Sequence, residues 1–374
     1  MRNSVFTVAL SLMLVTSLDA QEYGKWLFMD DFFEGLSVVE NHDELYGFID
    51  TSGREVIPCQ WPMAGSFREG LAAVQNSEGD FGFIDKSGRI VIPCRWKFVR
   101  SFSNGLCVVQ DSNDEWGAID RTGEVVIPCE WSYLDDFIDD VSWVKYLSPK
   151  GAVIDKTGKL ICPFIWEGYH TFHEGLSSHS TDDGVGFIDK EGRLVIPCVW
   201  PMAHDFHDGR SMVMGSNGKW GFIDKSGNLI VPCEWELADH FSEGIAMVEN
   251  SDFKSGYVNK DGELIVPCIW DFAGPFSEGV AVVGSSEEQG CGYIDKSGRL
   301  VIPCTWRSAY PFHDGFAIVQ DEAGKFGYID KTGKLVIPCK WASAGVFSYG
   351  IAKVSDDDGH LFYINTCGDV VFSL

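Results

Sequence analysis

The chain has 374 residues, with 55 acidic against 29 basic side chains and a formal net charge of −26. A nucleic-acid-binding protein needs lysine and arginine to neutralise phosphates, so this balance argues against nucleic acid and against an anionic membrane surface as partners. Hydrophobic residues make up 45% of the chain and aromatic residues 13%. This composition is too rich in core-forming side chains for a disordered protein.

The first twenty residues have the pattern of a secretory signal peptide. Arg2 supplies positive charge, residues 5–18 form an apolar run, and Ala20 precedes Gln21. The run is too short to span a membrane comfortably as a helix. We therefore expect residues 1–20 to be removed. The expected mature chain, residues 21–374, is exported to the periplasm, cell surface or exterior and has no membrane insertion.

One sequence motif then recurs ten times between about residues 32 and 365, at separations of 34, 35 or 36 residues. Each unit has Phe-x-x-Gly, an apolar run, a polar loop, an aromatic-Gly-aromatic-Ile-Asp segment, a tight turn, and a run that ends in Ile-Pro-Cys-x-Trp. Short runs rich in valine, isoleucine and aromatic residues, bounded by glycine and aspartate, indicate strands. The pattern predicts three strands in each unit.

The tight turn is the most regular part of this motif, and its residue types have a physical explanation. In Asp85-Lys-Ser-Gly88 the aspartate can accept the backbone N–H two residues on, and the glycine can take a positive φ. Asp224 and Gly227 hold the same places in another unit. At positions 259 and 365 the acid is replaced by asparagine, which caps a turn but cannot act as a general base. The repeated acid is therefore assigned to the turn and not to catalysis.

A tryptophan ends nine of the units, and stacked units would need such a row to bury a continuous seam. The nine residues are Trp61, Trp96, Trp131, Trp166, Trp200, Trp235, Trp270, Trp306 and Trp341.

The run Lys219-Trp-Gly-Phe-Ile-Asp-Lys-Ser-Gly227, with the preceding Phe206-His-Asp-Gly209, resembles the bacterial WG-repeat proteins. The resemblance covers nearly the whole mature chain. It implies an all-β tandem array, exported or surface-associated, and it supplies no catalytic residue. Closed propellers typically have about 4–8 blades of four strands. We therefore expect an open β-solenoid of ten three-stranded antiparallel units of about 35 residues, with a closed propeller-like toroid as the alternative.

Twelve cysteines in an exported chain suggest disulfides, but eight of them occupy one repeated position. Equivalent positions in neighbouring units are expected about 10–15 Å apart, whereas a disulfide needs Cα atoms within about 7 Å. The fourth unit has Phe164 at this position, as expected for an apolar packing site. Mostly buried free thiols are favoured, and disulfides remain the alternative.

Two irregular regions are candidates for chemistry. His170, His173, His204 and His207 fall at matching places in consecutive units, which is how a metal site across two units could arise. Exposed loop histidines are the favoured interpretation, so no metal and no cofactor is expected. In the fourth unit, acids at positions 135, 136, 139 and 140 could include a glycosidase-type pair.

These observations favour an exported, non-enzymatic binding or scaffold protein that presents an extended surface to a protein or carbohydrate ligand. The alternative is a secreted, glycosidase-like hydrolase with its site in the fourth unit or in the histidine cluster between His170 and His240. The chain contains no nucleophile elbow and no phosphate loop.

Overall fold

The computed structural model describes residues 25–146, 150–167, 171–285 and 290–374, with no account of the side chains of residues 164–167. All regular structure in these ranges is β-strand, arranged as ten antiparallel sheets. We call each sheet a blade and number the blades in chain order. The predicted signal peptide lies outside the described residues. Within them, no helix is long and apolar enough to cross a membrane.

The first five blades contain β1 Phe28–Met29, β2 Leu36–Glu40, β3 Tyr46–Asp50, β4 Glu55–Trp61; β5 Met63–Ala64, β6 Leu71–Gln75, β7 Phe81–Asp85, β8 Ile90–Trp96; β9 Phe98–Val99, β10 Leu106–Gln110, β11 Trp116–Asp120, β12 Val125–Trp131; β13 Tyr133–Leu134, β14 Val141–Lys145, β15 Lys150–Asp155, β16 Leu160–Glu167; and β17 Leu176–Thr181, β18 Gly184–Asp189, β19 Leu194–Trp200.

The last five blades contain β20 Met202–Ala203, β21 Ser211–Met214, β22 Trp220–Ile223, β23 Leu229–Trp235; β24 Leu237–Ala238, β25 Ile245–Glu249, β26 Ser255–Asn259, β27 Leu264–Trp270; β28 Phe272–Ser277, β29 Val280–Ser285, β30 Gly290–Asp295, β31 Leu300–Trp306; β32 Ser308–Ala309, β33 Phe316–Gln320, β34 Phe326–Asp330, β35 Leu335–Trp341; and β36 Ser343–Ala344, β37 Ile351–Ser355, β38 Leu361–Asn365, β39 Val370–Ser373.

The prediction of three strands per unit is wrong, because nine blades have four strands and the fifth has three within the described residues. The additional strand has two residues and precedes the Phe-x-x-Gly segment, except in blade eight, where Phe272–Ser277 runs into that segment. In blade two, Arg68 and Leu71 exchange backbone hydrogen bonds around Glu69 and Gly70, whose φ angles are 52° and 81°. Two central residues with positive φ make a type I′ turn, which joins antiparallel strands directly. Phe-x-x-Gly is therefore a hairpin.

The prediction of an open solenoid is also wrong, because blade ten packs on blade one and closes a ring. Phe32 of blade one meets Tyr363 of blade ten with ring centroids 6.0 Å apart, as Phe67 of blade two meets Phe48 of blade one at 4.8 Å. The turn glycine Gly53 lies against the Phe372 ring. The chain therefore forms a ten-bladed propeller, which is the closed alternative. Each blade is rotated relative to the one before it, and after ten blades these rotations bring the two ends of the chain together.

The core consists of separate clusters between neighbouring blades, not one central mass. The closing cluster joins Met29, Val39 and Ile49 of blade one to Ile351 and Tyr363 of blade ten. Each described tryptophan of the predicted row packs in the cluster that joins its own blade to the next, and the Trp166 side chain lies outside the described residues. These eight are Trp61, Trp96, Trp131, Trp200, Trp235, Trp270, Trp306 and Trp341.

The glycine of the aromatic-Gly-aromatic-Ile-Asp segment is required because the neighbouring strand lies too close to it for a side chain. The pairing of β11 with β12 shifts register around Gly117, because the Ile-Pro-Cys segment bulges over the glycine. A Cβ there would lie 2.5 Å from the carbonyl oxygen of Ile127 and 2.8 Å from the sulfur of Cys129. Blade four has Phe164 in place of the repeated cysteine, and it has Ala152 at the glycine position. Blade ten lacks the Pro-Cys bulge and has Phe362 there.

We expect Gly117→Ala to destabilise the protein by about 1–3 kcal/mol, because the added methyl group clashes with a fixed backbone. Gly65→Ala is the matched control: a Cβ there meets only Ala73, at 3.8 Å, and should change stability by less than about 0.5 kcal/mol. Urea unfolding followed by tryptophan fluorescence measures both. Equal effects of the two substitutions would contradict the packing explanation.

Candidate functional site

The aspartates of the repeated turn are engaged by their own turns. The Asp85 carboxylate accepts the backbone N–H of Ser87 at 2.9 Å and the side chain of Arg89 at 3.0 Å, and Gly88 has a φ of 80°. Asp224 accepts the N–H of Ser226 in the same way. A hydrogen bond from the Ser87 hydroxyl is the largest cause that holds the pKa of Asp85 below its ordinary value. These acids stabilise turns and leave no proton-accepting role at neutral pH.

A second repeated acid, which the sequence analysis did not single out, joins neighbouring blades. It is the third residue of Phe-x-x-Gly and has a positive φ, near 53° in the residues that make this contact. Its carboxylate accepts the backbone N–H of the equivalent glycine in the next blade. These acids are Glu34, Glu69, Asp139, Glu174, Asp208, Glu243 and Glu278.

A lysine from the next blade completes several of these contacts. Lys86 lies 3.1 Å from the Glu34 carboxylate, and Lys331 lies 3.0 Å from that of Glu278. Burial raises the pKa of Glu278, but hydrogen bonds from Lys331 and Gly315 outweigh it, so the pKa lies below its ordinary value. At the ring closure Tyr349 replaces the acid, and its hydroxyl accepts the N–H of Glu34 at 2.8 Å. An acidic residue occupies eight of the ten equivalent positions, and this regularity is the sequence signal that could have revealed the contact between blades.

The four acids of the irregular fourth unit are divided among structural contacts. Arg100 of blade three lies 2.7 Å from the Asp135 carboxylate and 3.4 Å from that of Asp136. Asp139 accepts the N–H of Gly175, and Asp140 pairs with a lysine of its own blade. The space beside Asp135 and Asp136 is about 10 Å³, which holds no more than about one water molecule. This geometry does not form a sugar-cleaving pair at an open cleft.

All twelve cysteines are within the described residues, and none forms a disulfide. In four of the eight cysteines at the repeated position the sulfur lies near a carbonyl of the same blade, as for Cys198 at 3.5 Å from the His179 oxygen. Burial raises the pKa of the Cys59 and Cys129 thiols to about 11. At neutral pH these groups are thiols, which are weak nucleophiles and weak metal ligands.

The structure brings histidines of three blades together, in a set that differs from the predicted one. The His207 ring centroid lies 6.0 Å from His173 of blade five and 4.5 Å from His240 of blade seven. His204 lies 5.5 Å from His240. His170 is outside the described residues. His240 therefore takes the central place in the cluster, and Asp205 approaches His173 at 3.4 Å.

Three ligand atoms of histidine, cysteine or acid side chains come within 4.8 Å of one another at one place in the described residues, and it is not this cluster. That place is formed by Asp356, Asp358 and His360 in an exposed loop. The Asp356 carboxylate there accepts the backbone N–H groups of the other two residues. This group is explained as a turn.

A partly exposed row of aromatic side chains with one arginine runs across blades two to four, and Phe98 is its most exposed member. Phe98 lies 6.4 Å from Phe81 and 5.6 Å from Trp116 between ring centroids. The Arg100 guanidinium lies 5.6 Å from the Trp116 ring and 5.8 Å from the Tyr133 ring. We call Phe81, Phe98, Arg100, Trp116 and Tyr133 the aromatic strip. An apolar groove of about 290 Å³ lies along it between blades two and three.

The first prediction from these contacts concerns the carboxylate of Glu278. Since its pKa lies below its ordinary value of 4.5, its stabilisation is present above that value and is lost as the pH falls through the lowered pKa. We expect Glu278→Gln to lower stability at pH 7 by less than about 1 kcal/mol, because the pair is partly exposed. It should also reduce the loss of stability in acid. Urea unfolding across this pH range tests it, with exposed Glu322→Gln as the control that should change neither quantity.

The second prediction concerns His240. Burial lowers its pKa, and the nearby His207 and His204 lower it further. Because the unfolded chain then binds the proton more tightly, stability should fall as the pH drops below about 6.5 and level off below the folded pKa. We expect His240→Ser, which introduces the residue that Ser66 provides in blade two, to flatten this dependence. The assignment would be contradicted if His240→Ser kept the full pH dependence of stability, or if His313→Ser lost that dependence.

No match was found among curated proteins. Among solved structures, a eukaryotic initiation factor matches with 12% identity and a TM-score of 0.47, covering 83% of this chain and 96% of its own. The designed Ika8 protein matches with 12% identity and a TM-score of 0.33, covering 80% and 94%. BamB from Moraxella catarrhalis matches with 13% identity and a TM-score of 0.32, covering 60% and 82%.

The repeat itself gives the family. The model described as WG containing repeat matches nine segments, residues 46–78, 81–113, 116–146, 153–178, 186–220, 220–252, 256–284, 292–325 and 326–359. These segments cover most of the chain and follow the blades in order. The chain therefore belongs to the WG containing repeat family.

Proposed function

We propose that this protein is an exported, non-enzymatic binding or scaffold protein whose aromatic strip receives a protein or carbohydrate partner. Export is inferred from the signal-peptide pattern of residues 1–20. The ring would hold the strip rigid, since every blade is fixed by two neighbours. Binding would then need no reordering of the chain, and rigid presentation lowers the entropic cost of association.

The observation that carries the proposal is the composition and exposure of the strip. Tryptophan, tyrosine and arginine are the residues most enriched among those that dominate binding energy. Phe98 is 45% exposed, and Met63 beside it in the groove is 49% exposed. Exposed aromatic surface of this kind offers apolar area to a protein side chain or a stacking face to a sugar ring.

The repeated acids, glycines and tryptophans support the same proposal by a different route. They are used in turns, in blade-to-blade hydrogen bonds and in packing, so the regular positions have structural explanations. The acids of blade four, which a hydrolase would use, are held by Arg100, Gly175 and Lys156. In the aromatic strip, by contrast, the Phe98 side chain is exposed and belongs to neither of the described clusters that join blade three to its neighbours.

A screen of the purified protein against arrays of glycans and of extracellular proteins tests the proposal. Each ligand found should then be measured against Phe98→Ser and Phe253→Ser by biolayer interferometry. Phe98→Ser introduces the residue present at the equivalent position of blade nine, Ser308, so the fold should tolerate it. Phe253 is 71% exposed and distant in the chain, and serves as the matched control.

We expect Phe98→Ser to weaken binding at least tenfold, about 1.4 kcal/mol, and Phe253→Ser to leave it unchanged. Failure to find any ligand on either array would count against a binding function. Ligands that bind both variants as well as the wild type would show that the aromatic strip is not the binding surface. Turnover of a glycan on the array would favour the hydrolase alternative.

A further inference from the structure

A cleft of about 410 Å³ lies where the ring closes, and we call it the closing cleft. Blade one lines it with Asp31 and Phe33, and blade ten lines it with Lys353 and Tyr363. Pockets for small molecules typically have volumes of about 300–1,000 Å³. The closing cleft therefore has room for a small ligand, and it lies apart from the aromatic strip on blades two to four.

Lys353 is the first departure from the repeat in this cleft. It lies in the second strand of its blade, directly opposite Tyr363 of the third strand. The other nine blades have an uncharged residue at this position: Val38, Ala73, Val108, Trp143, Ser178, Met212, Met247, Val282 and Ile318. Packing does not require a charge there. Among the described residues, the Lys353 ammonium has no hydrogen-bond or ion-pair partner.

The hydroxyl of Tyr363 is the second departure. In blades seven, eight and nine, Tyr257, Tyr293 and Tyr328 hold the same position, and each donates to a carbonyl oxygen of the next blade at 2.7 Å. The equivalent carbonyl facing Tyr363, that of Asp30, instead accepts the Ser37 hydroxyl at 2.6 Å. Tyr363 is only 4% exposed, and within the described residues its hydroxyl has no hydrogen-bond partner.

Tyr363 lines the closing cleft, and its hydroxyl is open to that cleft, where a ligand could supply an acceptor. Burial raises the pKa of Tyr363, and the nearby carboxylates of Asp31 and Asp30 raise it further. The group is therefore a protonated donor at neutral pH.

The two donors define the chemistry of the ligand. Residues directly opposite on antiparallel strands have Cβ atoms about 4.5–5.5 Å apart. Both residues line the closing cleft, so one ligand can meet the ammonium of Lys353 and the hydroxyl of Tyr363, and two donors, one of them charged, suit the two oxygens of a carboxylate. In a chain with a net charge of −26, such a local donor pair is what an anion would need to bind.

The opposite wall requires different groups on the same ligand. Asp31 is exposed and can only accept hydrogen bonds, which a ligand hydroxyl would donate. Phe33 and Val346 offer apolar surface to the carbon face of a ring. The guanidinium of Arg68 lies 3.9 Å from the Phe33 ring centroid and adds positive charge beside the cleft.

A carboxylate, hydroxyl groups and an apolar ring face occur together in acidic sugars. We propose that the closing cleft binds a uronic acid, with Lys353 and Tyr363 donating to its carboxylate, Asp31 accepting from a hydroxyl group, and Phe33 contacting the sugar ring. This site does not depend on the aromatic strip, and the substitutions that test the two surfaces do not overlap.

Saturation-transfer NMR and calorimetry with D-galacturonate and D-glucuronate test the proposal on the purified protein, with D-galactose and D-glucose as neutral counterparts. Lys353→Met introduces the residue that blades six and seven have, and Tyr363→Phe introduces the residue that blade two has at Phe83. Both substitutions therefore keep a packing that the chain already uses. Tyr328→Phe removes a hydroxyl whose hydrogen bond is structural and is the matched control.

We expect the wild type to bind at least one uronate, and at least ten times more tightly than its neutral counterpart. Lys353→Met should weaken this binding at least tenfold, Tyr363→Phe about threefold or more, and Tyr328→Phe not at all, since one hydrogen bond contributes about 0.5–1.5 kcal/mol. Added salt should weaken binding to the wild type.

No uronate signal with the wild type at millimolar concentration would overturn the proposal. So would equal binding of neutral sugars, or unchanged uronate affinity in Lys353→Met with a wild-type circular dichroism spectrum. If Lys353→Met fails to fold, unchanged affinity in Tyr363→Phe would overturn the proposal by itself.

Discussion

Packing between one blade and the next is the interaction on which the rest of this structure depends. Within the described residues the ten sheets share no strand, so no backbone ladder there joins one blade to another. A single unit of this length could not bury enough apolar surface to fold alone. Each blade is stable because its two faces are covered by its neighbours, and the two end blades obtain their second neighbour only when the ring closes. Phe32 on Tyr363 therefore has the same importance as any internal aromatic pair.

The hairpin acids show how the backbone and the interface are coupled. A residue other than glycine at positive φ costs about 1–2 kcal/mol relative to an ordinary turn. Glu69, at a φ of 52°, carries this cost, but the conformation directs its carboxylate to the N–H of Gly105 in the next blade. The charge-assisted hydrogen bond offsets the strain and satisfies a backbone donor. The strained backbone conformation of the hairpin acid thus makes possible a hydrogen bond to the next blade, and this arrangement recurs around the ring.

Departures from the repeat have different meanings when they are placed in the ring. The acids of blade four are compensated by Arg100 of the preceding blade, so that irregularity is an exchange of one inter-blade contact for another. The histidines of blades five to seven form a partly exposed cluster, and burial and the neighbouring histidines lower the pKa of its central member, His240. Lys353 differs from both, because nothing within the described residues compensates it. An uncompensated departure beside a cleft is the stronger indication of a ligand.

Much of the unit was predictable from the sequence alone, because it depends on contacts within about five residues. The period, three of the four strands and the Asp-x-x-Gly turn follow from local chemistry, and the carboxylate of Asp85 accepts the N–H of Ser87 as that chemistry requires. The eight tryptophans of the row whose side chains the structure describes pack between neighbouring blades. The partnership of Glu34 with Gly70 was not predictable in this way, because it joins equivalent positions of two units.

By itself, then, the sequence determined the repeat, its β character, its turns and the family to which the chain belongs. Only the tertiary structure decided the fourth strand, the closure of the ring and the meeting of His207 with His240 or of Lys353 with the wall of blade one. The physical reason is that a period states which residues are equivalent but not the angle between successive units. That angle results from side-chain packing at every interface, and whether the tenth blade meets the first depends on the sum of all these angles.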